Sequence, residues 1–293
     1  MDKMKKARLR AWRYRVGSLR GVRFGMSIVA SVPTLPERVV NAPAKLLYGL
    51  GLRSASRLTL PDFLGIGAAK SGTTWLHSNL SCHPDLFLPA EKELHYFDWR
   101  FHKSLGLYSN KFREGAGKKK GEITPGYSIL PLSRIRFIRR IMPDVRLIFL
   151  VRDPVERAWS HLLHYFLRVK GRTYEDVANW EIEANLEANW TFVRGGYSRI
   201  LQDWLSVFPG EQLLIQRFEA VEKQPQAVLT RVFAHIGVTT NVDWTRFAYN
   251  EKVLEGLGDK IPDKYQKLIE NMYASEIAWL SKIPPEGSRG DHV

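Results

Sequence analysis

Phe63-Leu64-Gly65-Ile66-Gly67-Ala68-Ala69-Lys70-Ser71-Gly72-Thr73-Thr74-Trp75 is the stretch that decides the architecture. Its first six residues are apolar or glycine and read as a short buried strand. Thr73 to Leu80 reads as a helix that ends before His83-Pro84. Small residues in the turn between them let backbone N–H groups approach an anion closely. The helix N-terminus adds free N–H donors and the positive end of its dipole. Lys70 supplies charge, and the hydroxyls of Ser71, Thr73 and Thr74 supply further donors. A turn that merely capped the helix would need one hydroxyl and no lysine. The order differs from the nucleoside-triphosphate loop G-x-x-x-x-G-K-[ST], whose final hydroxyl holds magnesium. Here the lysine precedes the glycine.

A second strand, turn and helix follows the same plan. Arg146 to Val151 reads as a strand, and Pro154 opens a helix running to about Val169. Arg152 stands at the strand's carboxyl end, where its planar fork suits a phosphate. Ser160, eight residues on, is placed to reach the same anion. The competing reading of Arg152 is a surface ion pair with Asp153 or Glu156. Further along, 175–190 reads as an acidic helix and Tyr197 to Val207 as a helix ending at Pro209-Gly210. Leu213 to Phe218 reads as a strand, Pro225 to Ile236 as a helix closed by Gly237, and Pro262 to about Ser281 as one long helix. The Gly/Lys-rich stretch Glu114 to Gly121 reads as an exposed loop. Strands alternating with helices imply a single α/β domain over 61–293. Its central parallel sheet is P-loop-like, flanked by helices on both faces, and binds ligands at the strands' carboxyl ends.

Between the two loops lies Pro89-Ala90-Glu91-Lys92-Glu93-Leu94-His95-Tyr96-Phe97-Asp98. On an extended segment Glu93 and His95 share a face, and Glu91 points to the same side. A carboxylate in so apolar a setting can have a raised pKa and act as a general base. On spacing alone, a solvated acidic turn is the simpler reading.

Three strings together resemble the sulfotransferases that use 3′-phosphoadenosine 5′-phosphosulfate (PAPS). Lys70-Ser71-Gly72-Thr73-Thr74-Trp75 resembles the family's 5′-phosphosulfate loop. The resemblance implies that Lys70 to Thr74 cradle the 5′-phosphate, that Lys70 sits by the bridging oxygen and that Trp75 lies against the adenine. Val151-Arg152-Asp153-Pro154-Val155-Glu156-Arg157-Ala158-Trp159-Ser160 resembles the 3′-phosphate motif, with Arg152 and Ser160 as its phosphate ligands. Lys92-Glu93-Leu94-His95-Tyr96-Phe97-Asp98 resembles the segment of heparan-sulfate-type glycan O-sulfotransferases that carries the catalytic glutamate. It implies Glu93 as base, supported by His95 and Asp98, and an acceptor hydroxyl on a glycan or glycolipid. The product nucleotide is then 3′,5′-ADP. Glu122-Ile123-Thr124-Pro125-Gly126-Tyr127 resembles the family's E-K-T-P-x-Y. Ile123 replaces a lysine that works at the acceptor site, which weakens the expectation of a heparan-like polyanion. The motifs run from about Phe63 to Phe218. In the loosely similar tail, Lys252 and Lys260, around Gly256 and Gly258, are the candidates for closing over the 3′-phosphate.

The 293 residues are 44% hydrophobic and 25% charged, a globular balance that excludes a disordered chain, a collagen and a coiled coil. Net charge is +14, placed unevenly. Residues 1–60 hold 13 Lys/Arg against Asp2 and Glu37, a basic extension in front of a nearly neutral body. Its first 24 residues suit an anionic membrane surface, an organelle transit peptide or a solvated extension packed on the body, and carry no nucleic-acid reader motif. The lone Cys82 excludes an internal disulfide framework and points to a reducing, cytoplasmic compartment, with residues 1–24 peripheral at a membrane. No apolar run approaches the roughly 20 residues of a spanning helix. His161 and His164, three apart on a helix, read as packing or solvent-facing, and no metal site is expected. The rival readings are a magnesium-dependent P-loop kinase and a non-catalytic membrane- or polyanion-binding protein.

Overall fold

The computed structural model describes residues 35–251 and 260–290. Six strands among them, β1 (Phe63–Gly67), β2 (Leu86–Phe87), β3 (Lys119–Ile123), β4 (Arg146–Val151), β5 (Leu213–Arg217) and β6 (Ser288–Arg289), form one sheet in the order β2-β3-β1-β4-β5-β6. The first five are parallel and β6 runs antiparallel to β5. The chain adds β2 and β3 on one side of β1, then β4 and β5 on the other. That reversal opens a crevice at the carboxyl ends of β1 and β4.

The described helices are α1 (Leu35–Gly49), α2 (Thr73–Leu80), α3 (Leu105–Asn110), α4 (Leu132–Ile141), α5 (Pro154–Leu163), α6 (Asn179–Leu186), α7 (Asn189–Val193), α8 (Tyr197–Leu205), α9 (Phe218–Lys223), α10 (Pro225–Ile236), α11 (Asp263–Met272) and α12 (Ala274–Leu280). β1 and the inner residues of β4 are buried on both faces, as a covered parallel sheet requires. Leu64, Ile66, Leu147, Phe149 and Ile215 meet Ile138 of α4 and Trp204 of α8 on one face. Phe63, Ile148, Leu150 and Leu214 meet Leu76 of α2 and Val232 and Phe233 of α10 on the other. A third core joins Trp159 and Leu162 of α5 to Ile182 of α6 and Ile269 of α11.

The strands and helices around both anion loops lie where the sequence puts them, β5 ending one residue earlier, at Arg217. Four other expectations change. Glu114 to Gly121 is not all loop, because Lys119–Ile123 is β3, paired parallel with β1. Gly121 lets the Phe63 ring lie against the strand, and Asp62 pairs with Lys119 and Lys120, so a lysine-rich segment can join the sheet. The helix after Pro154 is α-helical only to Leu163, and His164–Val169 continues it as a wider π turn. The acidic helix starts at Asn179 and breaks after Leu186. The long terminal helix breaks at Tyr273, whose hydroxyl is tied to Thr191 and Arg157.

Residues 1–34 and Lys252, with their sequence assignments, lie outside the described residues, as do Gly256 and Gly258. Within the basic extension, α1 packs on α4 and its Tyr48 is buried in the first core. Lys260 is exposed.

Candidate active site

The loop after β1 delivers its residues to the crevice through unusual backbone. Lys70 lies in the left-handed region at φ 70°, and Gly72, the N-cap of α2, at φ 86°. A Cβ at Gly72 would meet the Phe218 ring at 2.8 Å, so the position needs glycine both for conformation and for room. No side chain caps α2, which leaves its first N–H groups for a ligand. Thr73 is buried, Thr74 half-buried and Ser71 wholly buried. Trp75 packs into the second core, with its indole N–H donating to the Tyr249 carbonyl at 2.9 Å. It is held inside the protein rather than laid on an open surface.

Arg152 leaves β4 and binds in two directions. Its Nη1 donates to the Lys70 carbonyl at 3.4 Å, linking the two loops, and its Nε donates to Glu156 at 3.1 Å. The guanidinium also lies 4.7 Å from the Phe218 ring centre. The ion pair with Glu156 is therefore real, and it orients the fork at the crevice. Asp153 caps α5 by accepting from the Val155 and Glu156 N–H groups. Ser160 is half-buried on the same helix. Burial and the neighbouring Arg152 push the Lys70 ammonium below its ordinary pKa; Glu93 opposes them, while Lys92 and Arg168 add to the depression. Glu93 and Arg152, far apart in sequence, thus both act on Lys70.

The Glu93 segment is a turn and not the extended stretch its alternation suggests. Glu93 and His95 both have left-handed backbone, at φ 62° and 50°. They still meet: His95 Nε2 lies 3.4 Å from Glu93 Oε2, and His95 Nδ1 lies 2.8 Å from Asp98 Oδ2. Lys92 Nζ donates to the other Glu93 oxygen at 2.5 Å. Burial alone would raise the Glu93 pKa, but the His95 hydrogen bond and the Lys92 ammonium outweigh it and hold the carboxyl down at about 2. The raised carboxylate expected from the apolar neighbours is therefore overturned by two donors the alternation did not reveal. Burial alone would lower His95; its bonds to Asp98 and Glu93 lift it to about 9. Glu91 turns away to pair with Arg100 at 2.6 Å and Lys111 at 2.9 Å.

A buried network holds this strained turn. Glu122, almost fully enclosed, accepts from the Tyr108, Thr124 and Tyr127 hydroxyls at 2.5, 2.7 and 2.9 Å. The Tyr127 oxygen in turn accepts from Tyr96 N–H at 2.9 Å, and the Thr124 oxygen from His95 N–H at 3.5 Å. Burial raises the Glu122 pKa, and the three hydroxyls counter it. Ile123 packs into the second core beside Gly65 and offers nothing to an acceptor. Three participants escape the sequence reading. Trp99 stacks on His95, rings 4.0 Å apart and 7° from parallel. Arg168 and His164 stand in the field of Lys70, brought there by the π turn. Trp99 directly follows the Lys92–Asp98 string, but a ring stack formed by a turn that folds back leaves no spacing signature. His161 is buried, and desolvation pushes its pKa far down. Among the described residues no group of three His, Cys, Asp or Glu side chains is placed to hold a metal ion.

Comparison with known proteins gives the chain's family and fold relatives. The chain is 31% identical over 196 residues to heparan sulfate glucosamine 3-O-sulfotransferase 3B1 of Mus musculus, covering 66% of this chain and 50% of that protein. It is 30% identical over 219 residues to heparan sulfate glucosamine 3-O-sulfotransferase 6 of Homo sapiens, covering 73% of this chain and 63% of that protein. The chain thus spans about half to two thirds of the length of these relatives. A crystal structure of a sulfotransferase from Alicyclobacillus acidocaldarius shares the fold at a TM-score of 0.59 and 20% identity, over 76% of this chain and 94% of that one. The family described as "Sulfotransferase domain" matches residues 60–255, from just before β1 to beyond α10. That span contains both anion loops and the Glu93 turn, and the chain belongs to the sulfotransferase domain family.

Proposed function

We propose that this protein transfers a sulfuryl group from PAPS to an acceptor hydroxyl on a carbohydrate or glycolipid, with Glu93 as the base. The observation that carries the reading is the convergence on Lys70 of Arg152 from one loop and Glu93 from another. The residues fit a bisphosphate nucleotide. The uncapped start of α2, with Thr73 and Thr74, offers donors to a 5′-phosphate, and Arg152 and Ser160 offer them to a 3′-phosphate. When bound, PAPS supplies an electrophilic sulfur and a 3′,5′-ADP leaving group.

The chain's own residues then divide the work. Glu93, ionised across the neutral range, takes the acceptor's proton at a carboxylate oxygen. A base held near 2 suffices because an attacking hydroxyl becomes strongly acidic as its oxygen bonds to sulfur. His95, protonated and braced by Asp98, fixes the direction of the Glu93 carboxylate. Lys70 places positive charge where the departing oxygen gains negative charge, a kind of stabilisation commonly worth about 3–4 kcal/mol. A magnesium-dependent kinase is disfavoured by the order of the loop, in which Lys70 precedes Gly72 instead of following it. Residues 1–24 are proposed to hold the protein at an anionic surface.

The test is incubation of the purified protein with sulfur-labelled PAPS and a panel of glycans, glycolipids and phenols. Label is expected in a glycan or glycolipid. Label only in phenols would remove the acceptor class, and no transfer to any acceptor would count against the activity itself.

A further inference from the structure

We propose that the face formed by the end of α1 and the exposed side of α4 docks on an anionic lipid bilayer. The inference goes beyond the sulfuryl-transfer reading and does not depend on it. It rests on an apolar ridge and a basic cleft that lie side by side.

The ridge is the stretch 46–52. Leu46, Leu50 and Leu52 are 62%, 57% and 73% exposed, and Leu47 is also exposed. Four exposed leucines in seven residues are unusual on a soluble surface, where large apolar side chains occur singly. The ridge is built, not frayed: Leu50, Leu52 and Arg53 N–H groups all bond back to carbonyls of Leu46 or Leu47. Beside it opens a cleft of about 1170 Å³. Lys45, Arg134, Arg136, Arg139 and Arg140 line it, with Asp98 as its sole acidic residue. Arg140 joins the two features, since its guanidinium packs against Gly51 and reaches the Leu50 carbonyl at 3.5 Å. Arg136 is exposed on α4.

Aliphatic side chains rimmed by arginines match a bilayer surface, with acyl chains for the leucines and phosphates for the guanidinium groups. Other occupants fit the charge poorly. A second copy would bring the same arginines face to face. Residues 1–34 hold nine Lys/Arg against one Asp, so folding them over the cleft sets cation on cation. They lead directly into α1 and would add attraction to the same anionic surface. The cleft reaches Asp98 and Trp99, so docking on this face sets the catalytic turn against the membrane.

The test uses the full chain in vesicle flotation, with phosphatidylcholine alone and with added phosphatidylserine. Two double variants are compared with it, Leu50→Asp/Leu52→Asp and Arg136→Glu/Arg140→Glu, all at exposed positions, with circular dichroism confirming that they fold. The full chain is expected to float only with the anionic vesicles. The leucine pair should lower partitioning at least about tenfold, and the arginine pair about 30-fold or more at about 1 kcal/mol per charge. Unchanged binding in both variants would assign attachment to residues 1–34 and overturn the proposal. So would no flotation of the full chain, or a dimer by light scattering that the leucine pair dissociates while flotation is unchanged. Sulfation of a soluble acceptor, measured alongside, reports separately on the catalytic reading.

Discussion

Glu93 and Glu91 are two residues apart and have opposite surroundings. Glu93 is held by Lys92 and His95 beside Lys70, whereas Glu91 is locked to Arg100 and Lys111. Glu93→Gln keeps the size of the side chain but cannot take a proton. It is expected to lower kcat about 10²–10⁴-fold, while Glu91→Gln stays near wild type. Affinity for 3′,5′-ADP should stay intact in both. Steady-state kinetics with saturating PAPS decides, and near-normal turnover in Glu93→Gln would move the base elsewhere, with His95→Ala the next variant to measure. Arg152 carries a second expectation. A charge-assisted hydrogen bond contributes about 1.5–3 kcal/mol, so Arg152→Ala should weaken 3′,5′-ADP binding roughly ten- to a hundredfold and 5′-AMP binding much less. Equal losses in calorimetric titration would take the 3′-phosphate away from this residue.

At the scale of elements, the two strand–turn–helix units were readable because each departs from the ordinary in a local way. An apolar run stops, small residues or a proline follow, and a helix begins within a few positions. The left-handed turn at Glu93 was not readable as a turn. Its shape comes from Glu122, Thr124 and Tyr127, which reach it across about thirty residues of sequence, and apolar alternation carries no trace of such contacts. The same limit explains β3, whose lysines suggest solvent until Asp62 and the Phe63 ring are placed beside them. It also explains Trp99, which meets His95 only because the turn folds back. If the network positions the turn, Tyr127→Phe should destabilise the protein by about 1–3 kcal/mol, since Glu122 and the Tyr96 N–H lose a buried partner. It should also lower kcat with little change in 3′,5′-ADP affinity. Denaturant unfolding and kinetics together check this: lost stability with unchanged kcat would make the network structural only.

For the whole molecule, the turn leaves a mark on stability against pH. His95 is raised from 6.5 to about 9, so its contribution is complete below about 6.5 and fades as pH rises through 9. Glu93 is lowered from 4.5 to about 2, so its contribution is complete above about 4.5 and fades as pH falls through 2. Both are fully present between about 4.5 and 6.5. Melting temperatures measured across pH should therefore show the alkaline decline flattened in His95→Ala and the acid decline flattened in Glu93→Gln. Parallel curves for wild type and variants would contradict the assignment. The cations around Lys70 have a further consequence. Arg152, Lys92 and Arg168 press on it and Glu93 opposes them, so a bisphosphate binding here is expected to relieve the repulsion. In the proposed reaction the spent nucleotide would keep both phosphates after the sulfuryl group has gone, and with them its hold on these residues. The slow event in each cycle should then be the nucleotide's departure, and rapid mixing should show a burst near one sulfated product per site before a slower steady phase. A progress curve that is linear from the first turnover would place the slow step earlier, in the transfer itself.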